Sequence, residues 1–263
     1  MDLGALRKIT LRAAQKIYPR LGLRDSDIIL ASFPKSGNTW MRFIWANMIS
    51  LMEFEGREID FRFLDTEMAI VYDSPFQRTV EFNCLPRLVK THRLYNPRAF
   101  EKNQVIYVVR HPGDVAVSHF EYRKAEKNGI NISNLKRFIR DPEIGISSWC
   151  EHVLSWHLKA DAVVRYEDLK SSAVETVRRT LKELNLNHIP DPIIKQAVSR
   201  SSFDKMKNIE EEKGRVRESD FESEYQFMRS GRMGEWKEAF EKDDIQYMRT
   251  TVKKSGLEKI YEI

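Results

Sequence analysis

Four short, nearly unbroken apolar runs punctuate the chain: DIILASF (27–33), RLVKTH (87–92), QVIYVVR (104–110) and DAVVRYED (161–168). Each gives way to polar or helical sequence. The first passes through the loop PKSGN into TWMRFIWANMI, whose apolar residues recur three and four apart, so it reads as strand, loop, helix. Similar spacing predicts helices over 114–127, 147–158, 172–184, 192–201 and 243–255. Strands that are apolar throughout are buried on both faces, and their alternation with helices implies a parallel sheet between two helical layers. A single three-layer α/β/α domain spanning 1–263 is therefore expected. Residues 204–232, which contain DKMKNIEEEKGRVRESDFESE, are charged and show little periodicity; a surface loop or lid is predicted there.

Composition narrows the classes. With 41% hydrophobic and 32% charged residues, and only 11 Gly and 9 Pro among 263, disordered, collagen-like and low-complexity architectures are excluded. The most apolar stretch, MRFIWANMISLM (41–52), is cut by Arg42, Asn47 and Ser50, short of the ~18 unbroken apolar residues of a membrane span. Two cysteines, Cys84 and Cys150, are too few for a disulfide framework and lack the spacing of a structural zinc site, which points to reducing, cytoplasmic surroundings.

The net charge of +5 arises in residues 1–24, where six basic side chains face one acid while the remainder of the chain balances. It is no argument for nucleic-acid binding by the whole protein. Leu6, Ile9, Ala13 and Ile17 share one face of this basic leader, predicting a short amphipathic helix docked on the domain. A membrane-surface helix or a transit peptide would show the same pattern.

Three segments carry candidate chemistry. In FPKSGNTW, Gly37 lets the backbone approach an anion, Ser36, Asn38 and Thr39 add donors, and Lys35 brings charge to the rim of a helix N-terminus. The spacing is not that of a Walker A loop, and an ordinary strand-to-helix turn has the same composition. At the end of the third run, Arg110 enters HPGDVAVSHF, where Asp114 is a candidate N-cap and Ser118 lies one turn into the helix. Arg110 and Ser118 can both reach a second anion, or be a solvated Arg and a structural Ser. In LVKTH, Lys90 and His92 lie two apart at a strand end, so they share one side of the sheet. A cation there favours the neutral, basic imidazole. His111, His119, His152, His157 and His188 lack such a partner in the sequence.

Taken in order, FPKSGNTW, LPRLVKTH, VIYVVRHPGDVAVSHF, VVRYEDL, SSFDKMK and FMRSGRMGEWKEAF resemble the cytosolic-type sulfotransferases, which use 3′-phosphoadenosine 5′-phosphosulfate (PAPS) and release adenosine 3′,5′-bisphosphate (PAP). The resemblance covers about residues 27–240. It implies a P-loop-like loop holding the 5′-phosphosulfate with Lys35, Ser36, Gly37, Asn38 and Thr39, and Trp40 against the adenine. It also implies a 3′-phosphate site of Arg110, Ser118, Arg229, Ser230 and Gly231. Tyr166 and Phe203 would complete the adenine pocket, with Ser201 or Ser202 adding polar contacts.

His92 is then the expected catalytic base, Lys35 the group at the bridging oxygen, and Lys90 the cation facing the sulfuryl oxygens, with no metal required. The acceptor would be the hydroxyl or amine of a small molecule. Its pocket walls are expected from 54–86, Tyr122 and 204–228, with Phe54, Phe61, Phe63, Tyr72, Phe76 and Phe82 as aromatic candidates.

The sequence departs from the family in four places. Asn38 replaces a usual Thr, Ser230 a usual Lys, and Arg93 an apolar residue, and the family's dimer motif is absent after Lys237. Two other readings stay open. A phosphotransferase could hold Mg²⁺ on Glu167 and Asp168, and a non-catalytic nucleotide-binding protein could share the fold.

Overall fold

The computed structural model describes residues 19–65, 70–72, 81–127, 134–215, 221–222 and 225–260. Most of the leader and Phe76 lie outside them. Five strands form one sheet: β1 (Ile28–Ser32), β2 (Ile70–Val71), β3 (Leu88–Thr91), β4 (Gln104–Val109) and β5 (Ala162–Arg165), in the order β2-β3-β1-β4-β5. All neighbours run parallel.

The helices are α1 (Asn38–Glu53), α2 (Phe61–Phe63), α3 (Pro97–Phe100), α4 (Pro112–Ala125), α5 (Leu135–Arg140), α6 (Ile146–Trp156), α7 (Tyr166–Glu183), α8 (Asp191–Arg200), α9 (Phe203–Lys213), α10 (Trp236–Ala239) and α11 (Lys242–Lys254).

Every residue of β1 is buried, and the strand period of two sends its side chains into two separate cores. Ile28 and Leu30 join Ile106, Val108 and Val164 against α1, α7 and α8. Ile29 and Ala31 join Val89, Val105 and Tyr107 against α4, α6 and α11. This division makes the three layers. Among the described residues no helix is long and apolar enough to cross a membrane.

Several boundaries move from the sequence expectation. Residues 161–168 do not continue as strand, because Tyr166 already starts α7; a non-helical backbone at Ser172 (φ −151°) then separates its first turn from the part the periodicity marks. The N-cap of α4 is His111, whose ring nitrogen accepts from Gly113 N–H at 3.1 Å, and not Asp114. Pro112 at N1 fixes that start. The stretch expected to be irregular from 204 begins with helix α9, capped by Ser202.

At the amino ends of the strands a buried ion pair sets the β1/β3 register. Asp27 accepts from Arg87 Nε and Nη2 at 2.7 and 2.6 Å and from Arg24 N–H at 2.7 Å, while Ile28 N–H donates to Arg87 O. Removing one partner strands the other charge in the interior. Asp27→Ala is therefore expected to lower unfolding free energy by about 3–5 kcal/mol. Urea unfolding reads this, with the paired change Asp27→Leu and Arg87→Met recovering most of the loss.

Candidate active site

The carboxyl ends of β1, β3 and β4 open onto one edge of the sheet, where the candidate segments meet. After β1 the chain turns through Lys35, which is left-handed at φ 66°, and Gly37, at φ 106° the N-cap of α1. A Cβ at Gly37 would sit 2.8 Å from Tyr166 Cδ2, so glycine is required both by backbone angle and by space. The buried Ser36 Oγ has no hydrogen-bond partner among the described residues. Asn38 turns its amide nitrogen inward, donating to Leu30 O at 3.3 Å and Ser32 Oγ at 3.1 Å. What Asn38 offers outward is its backbone N–H at the helix start, while Thr39 is half-buried beside it.

A second cluster surrounds Arg110. Its guanidinium carbon lies 4.3 Å from the Tyr166 ring centre, it donates to Lys35 O at 3.4 Å and Arg232 O at 2.8 Å, and its buried Nε has no partner among the described residues. Tyr166 OH donates to Gly231 O at 3.2 Å, and its ring meets Trp40 edge-on at 5.7 Å. Gly231, at φ 59°, lets the chain lie against Phe203: a Cβ there would be 2.5 Å from that ring. Arg229 donates to the buried carboxylate of Glu235 at 2.5 Å. Asp114 holds the same segment by accepting from Gly234 and Trp236 N–H at 2.8 and 3.4 Å. Ser118 is half-buried on α4.

Ser201 and Ser202 diverge. Ser201 is fully buried, donates to Ala197 O and accepts from Asn47, so it faces the α1–α8 contact. Ser202 caps α9 through Lys205 N–H.

His92, one residue beyond β3, points Nδ1 at Ser32 O, 2.7 Å away. A carbonyl oxygen can only accept, so Nδ1 carries the proton and Nε2 keeps its lone pair. Burial, then the Lys90 ammonium, hold the imidazole well below its usual 6.5. Behind it, His152 Nδ1 meets Tyr107 OH at 3.0 Å, and Phe33 stands edge-on to His152 and His119.

Lys35 Nζ lies 3.7 Å from the Phe227 ring centre and 4.8 Å from that of Tyr122. Arg215 also lies against Phe227, at 3.8 Å. Burial, then Arg215 and Arg110, push the Lys35 ammonium well below its ordinary value. The Phe227 segment is itself tethered, since Glu210 accepts from Phe227 and Met228 N–H at 2.8 and 2.7 Å. Sequence reasoning passes over Phe227, Arg215, Glu210, Arg232 and Glu235. Only the recurrence of Arg in RSGR (229–232) offers a signal for any of them.

The two carboxylates of the phosphotransferase reading are engaged elsewhere. Glu167 accepts from His111 N–H at 2.9 Å, and Asp168 meets Arg179 at 3.3 Å on the surface.

Comparison with known proteins gives the family and the fold. Sulfotransferase 1B1 of Canis lupus familiaris is 31% identical over 256 residues, covering 86% of this chain and 83% of that protein. Sulfotransferase 1A1 of Mus musculus is 29% identical, with 81% and 79% covered. Among solved structures, retinol dehydratase in a complex with retinol and PAP superposes with a TM-score of 0.73 at 19% identity, over 93% of this chain and 85% of that one. The family model described as the sulfotransferase domain matches residues 25–262. The chain therefore belongs to the cytosolic-type sulfotransferase family.

Proposed function

We propose that the protein moves the sulfuryl group of PAPS to a hydroxyl or amine of a small-molecule acceptor, with His92 as general base. The observation that carries this reading is the His92 tautomer. Nδ1 is tied to Ser32 O, which leaves Nε2 able to take a proton at the edge where Lys35 and Lys90 gather.

The residues present fit the nucleotide. Ser36 Oγ and Arg110 Nε are buried polar atoms without partners among the described residues, the kind of cost an oxyanion relieves. The 5′-phosphosulfate would lie on the 35–39 loop, taking backbone N–H groups of Gly37, Asn38 and Thr39, with Lys35 and Ser36 beside them. Arg110, Ser118, Arg229, Ser230 and Gly231 would take the 3′-phosphate, and Trp40, Tyr166 and Phe203 the adenine.

PAPS supplies the activated sulfuryl group; the side chains position and neutralise. Lys35, withdrawn over Phe227, would turn toward the leaving phosphate, where an anion restores its charged form. Lys90 would offset charge on the sulfuryl oxygens while His92 Nε2 accepts the acceptor proton. Phe61, Tyr122 and Phe227 stand near enough to Lys35 and Arg215 to bound the acceptor. Radiolabelled PAPS offered with phenols, alcohols and amines tests the reading; no transfer to any class would overturn it.

Four outcomes are expected. His92→Ala should lower kcat by about 10²- to 10⁴-fold, the range for a lost general base, with PAP affinity unchanged by calorimetry. In the parent enzyme the acid limb of kcat/KM should fall below pH 6.5, because His92 is held down and stays basic until that lower value is crossed. Lys90→Met should move that limb upward but short of 6.5, since burial, the larger cause, remains; a pH profile of both enzymes decides. Arg110→Ala should weaken PAP by about 1.5–3 kcal/mol while adenosine 5′-phosphosulfate, which lacks the 3′-phosphate, binds as before.

A further inference from the structure

The segment proposed to hold the 3′-phosphate has Ser230 where the resemblance expects a lysine, yet a second cation stands two residues on. We infer that Arg232 is a direct ligand of the nucleotide 3′-phosphate and supplies the positive charge that Ser230 does not. The inference rests on the nucleotide reading above and adds a residue to which the resemblance gives no role.

Arg232 lines a surface depression with Val117, Arg229, Glu235, Glu238 and Ala239. The depression therefore includes α4, the helix that carries Ser118, and Arg229, which is assigned to the same phosphate. The backbone at 232 is fixed from two sides: its carbonyl accepts from Arg110 Nη2 at 2.8 Å, and its N–H donates to Ser230 Oγ at 3.4 Å. The serine that replaces the lysine thus braces the residue that stands in for it. Arg110, Arg229 and Arg232 are linked as a group, the first through this carbonyl and the other two through the shared carboxylate of Glu235.

Within the group the arginines are held differently. Arg229 is clamped by Glu235, itself 6% exposed, at 2.5 Å. Arg232 reaches Glu235 only at 3.4 Å and Glu238 at 3.6 Å; its side chain is 61% exposed and that of Glu238 73%. The Glu238 pair, long and exposed on both sides, is screened and weak, and the 3.4 Å contact with Glu235 is a second, looser partner of a carboxylate that Arg229 already holds at 2.5 Å. The arm can leave them for a phosphate, whose oxygens match the guanidinium fork and carry more charge than one carboxylate. The two acids oppose the incoming anion, but Glu235 is already matched by Arg229 and Glu238 is screened by water.

Calorimetry with PAP and with 5′-AMP, which lacks the 3′-phosphate, tests this on the full chain. Arg232→Ala should weaken PAP about tenfold with 5′-AMP unchanged, Arg232→Lys should fall between, and Arg232→Glu should lose more than Ala. Arg110→Ala is the control. If it weakens PAP selectively while Arg232→Ala binds PAP like the parent, or weakens both ligands equally, the role of Arg232 is refuted and the nucleotide reading survives. If neither variant separates PAP from 5′-AMP, the 3′-phosphate site itself is wrong, and this inference falls with it.

Discussion

The close approach of the Tyr166 ring to Gly37 is the contact on which the candidate site depends. Tyr166 follows β5 and begins α7, Gly37 ends the loop after β1, and any side chain at 37 would overlap the ring. From this one point the phenol reaches Gly231, the ring face takes Arg110, and its edge meets Trp40. Three loops from distant parts of the chain are thereby held at one edge of the sheet by contacts that need no ligand. Parallel strands make this economical, because all five deliver their carboxyl ends to the same side.

The same convergence crowds positive charge. Lys35, Lys90, Arg110, Arg215 and Arg229 gather around the site, and Lys90, Arg110 and Arg215 are close enough for their charges to act on Lys35. The protein meets the repulsion in two ways: aromatic faces under Lys35 and Arg215, and a depressed proton affinity at Lys35 and His92. Both are reversible on arrival of an anion. Burial and then the Lys90 charge keep His92 neutral, and the same cations would attract a doubly phosphorylated nucleotide, so readiness of the proposed base and recognition of the proposed donor would share part of one cause.

Features local in the chain are legible from the order of residues alone. The apolar strands stand out because both faces are buried, and FPKSGN and VVRHPGD lie at strand ends where chain order puts them at one edge. Helix α9 escapes the periodicity because only Met206 and Ile209 of its apolar positions are buried, and its remaining surface is dominated by charge. The two-residue β2 has no period to detect. The Ser32 carbonyl that sets the His92 tautomer, the Phe227 ring under Lys35, and the pairing of Arg229 with Glu235 depend on convergence in space, which no spacing in a single chain encodes. Asn38 and Ser201 show the converse: residue types suited to bind a ligand, their side chains engaged instead in holding β1 and α1.

Lys35 occupies a backbone conformation that costs a residue bearing a Cβ roughly 1 kcal/mol or more, and that glycine adopts freely. Folding alone therefore favours glycine at this position. A population of variants screened only for thermal endurance would drift toward Lys35→Gly and so discard the ammonium proposed to meet the leaving group. Directed evolution toward a hardier enzyme has to carry a turnover requirement in every round, because at residue 35 robustness and chemistry pull in opposite directions.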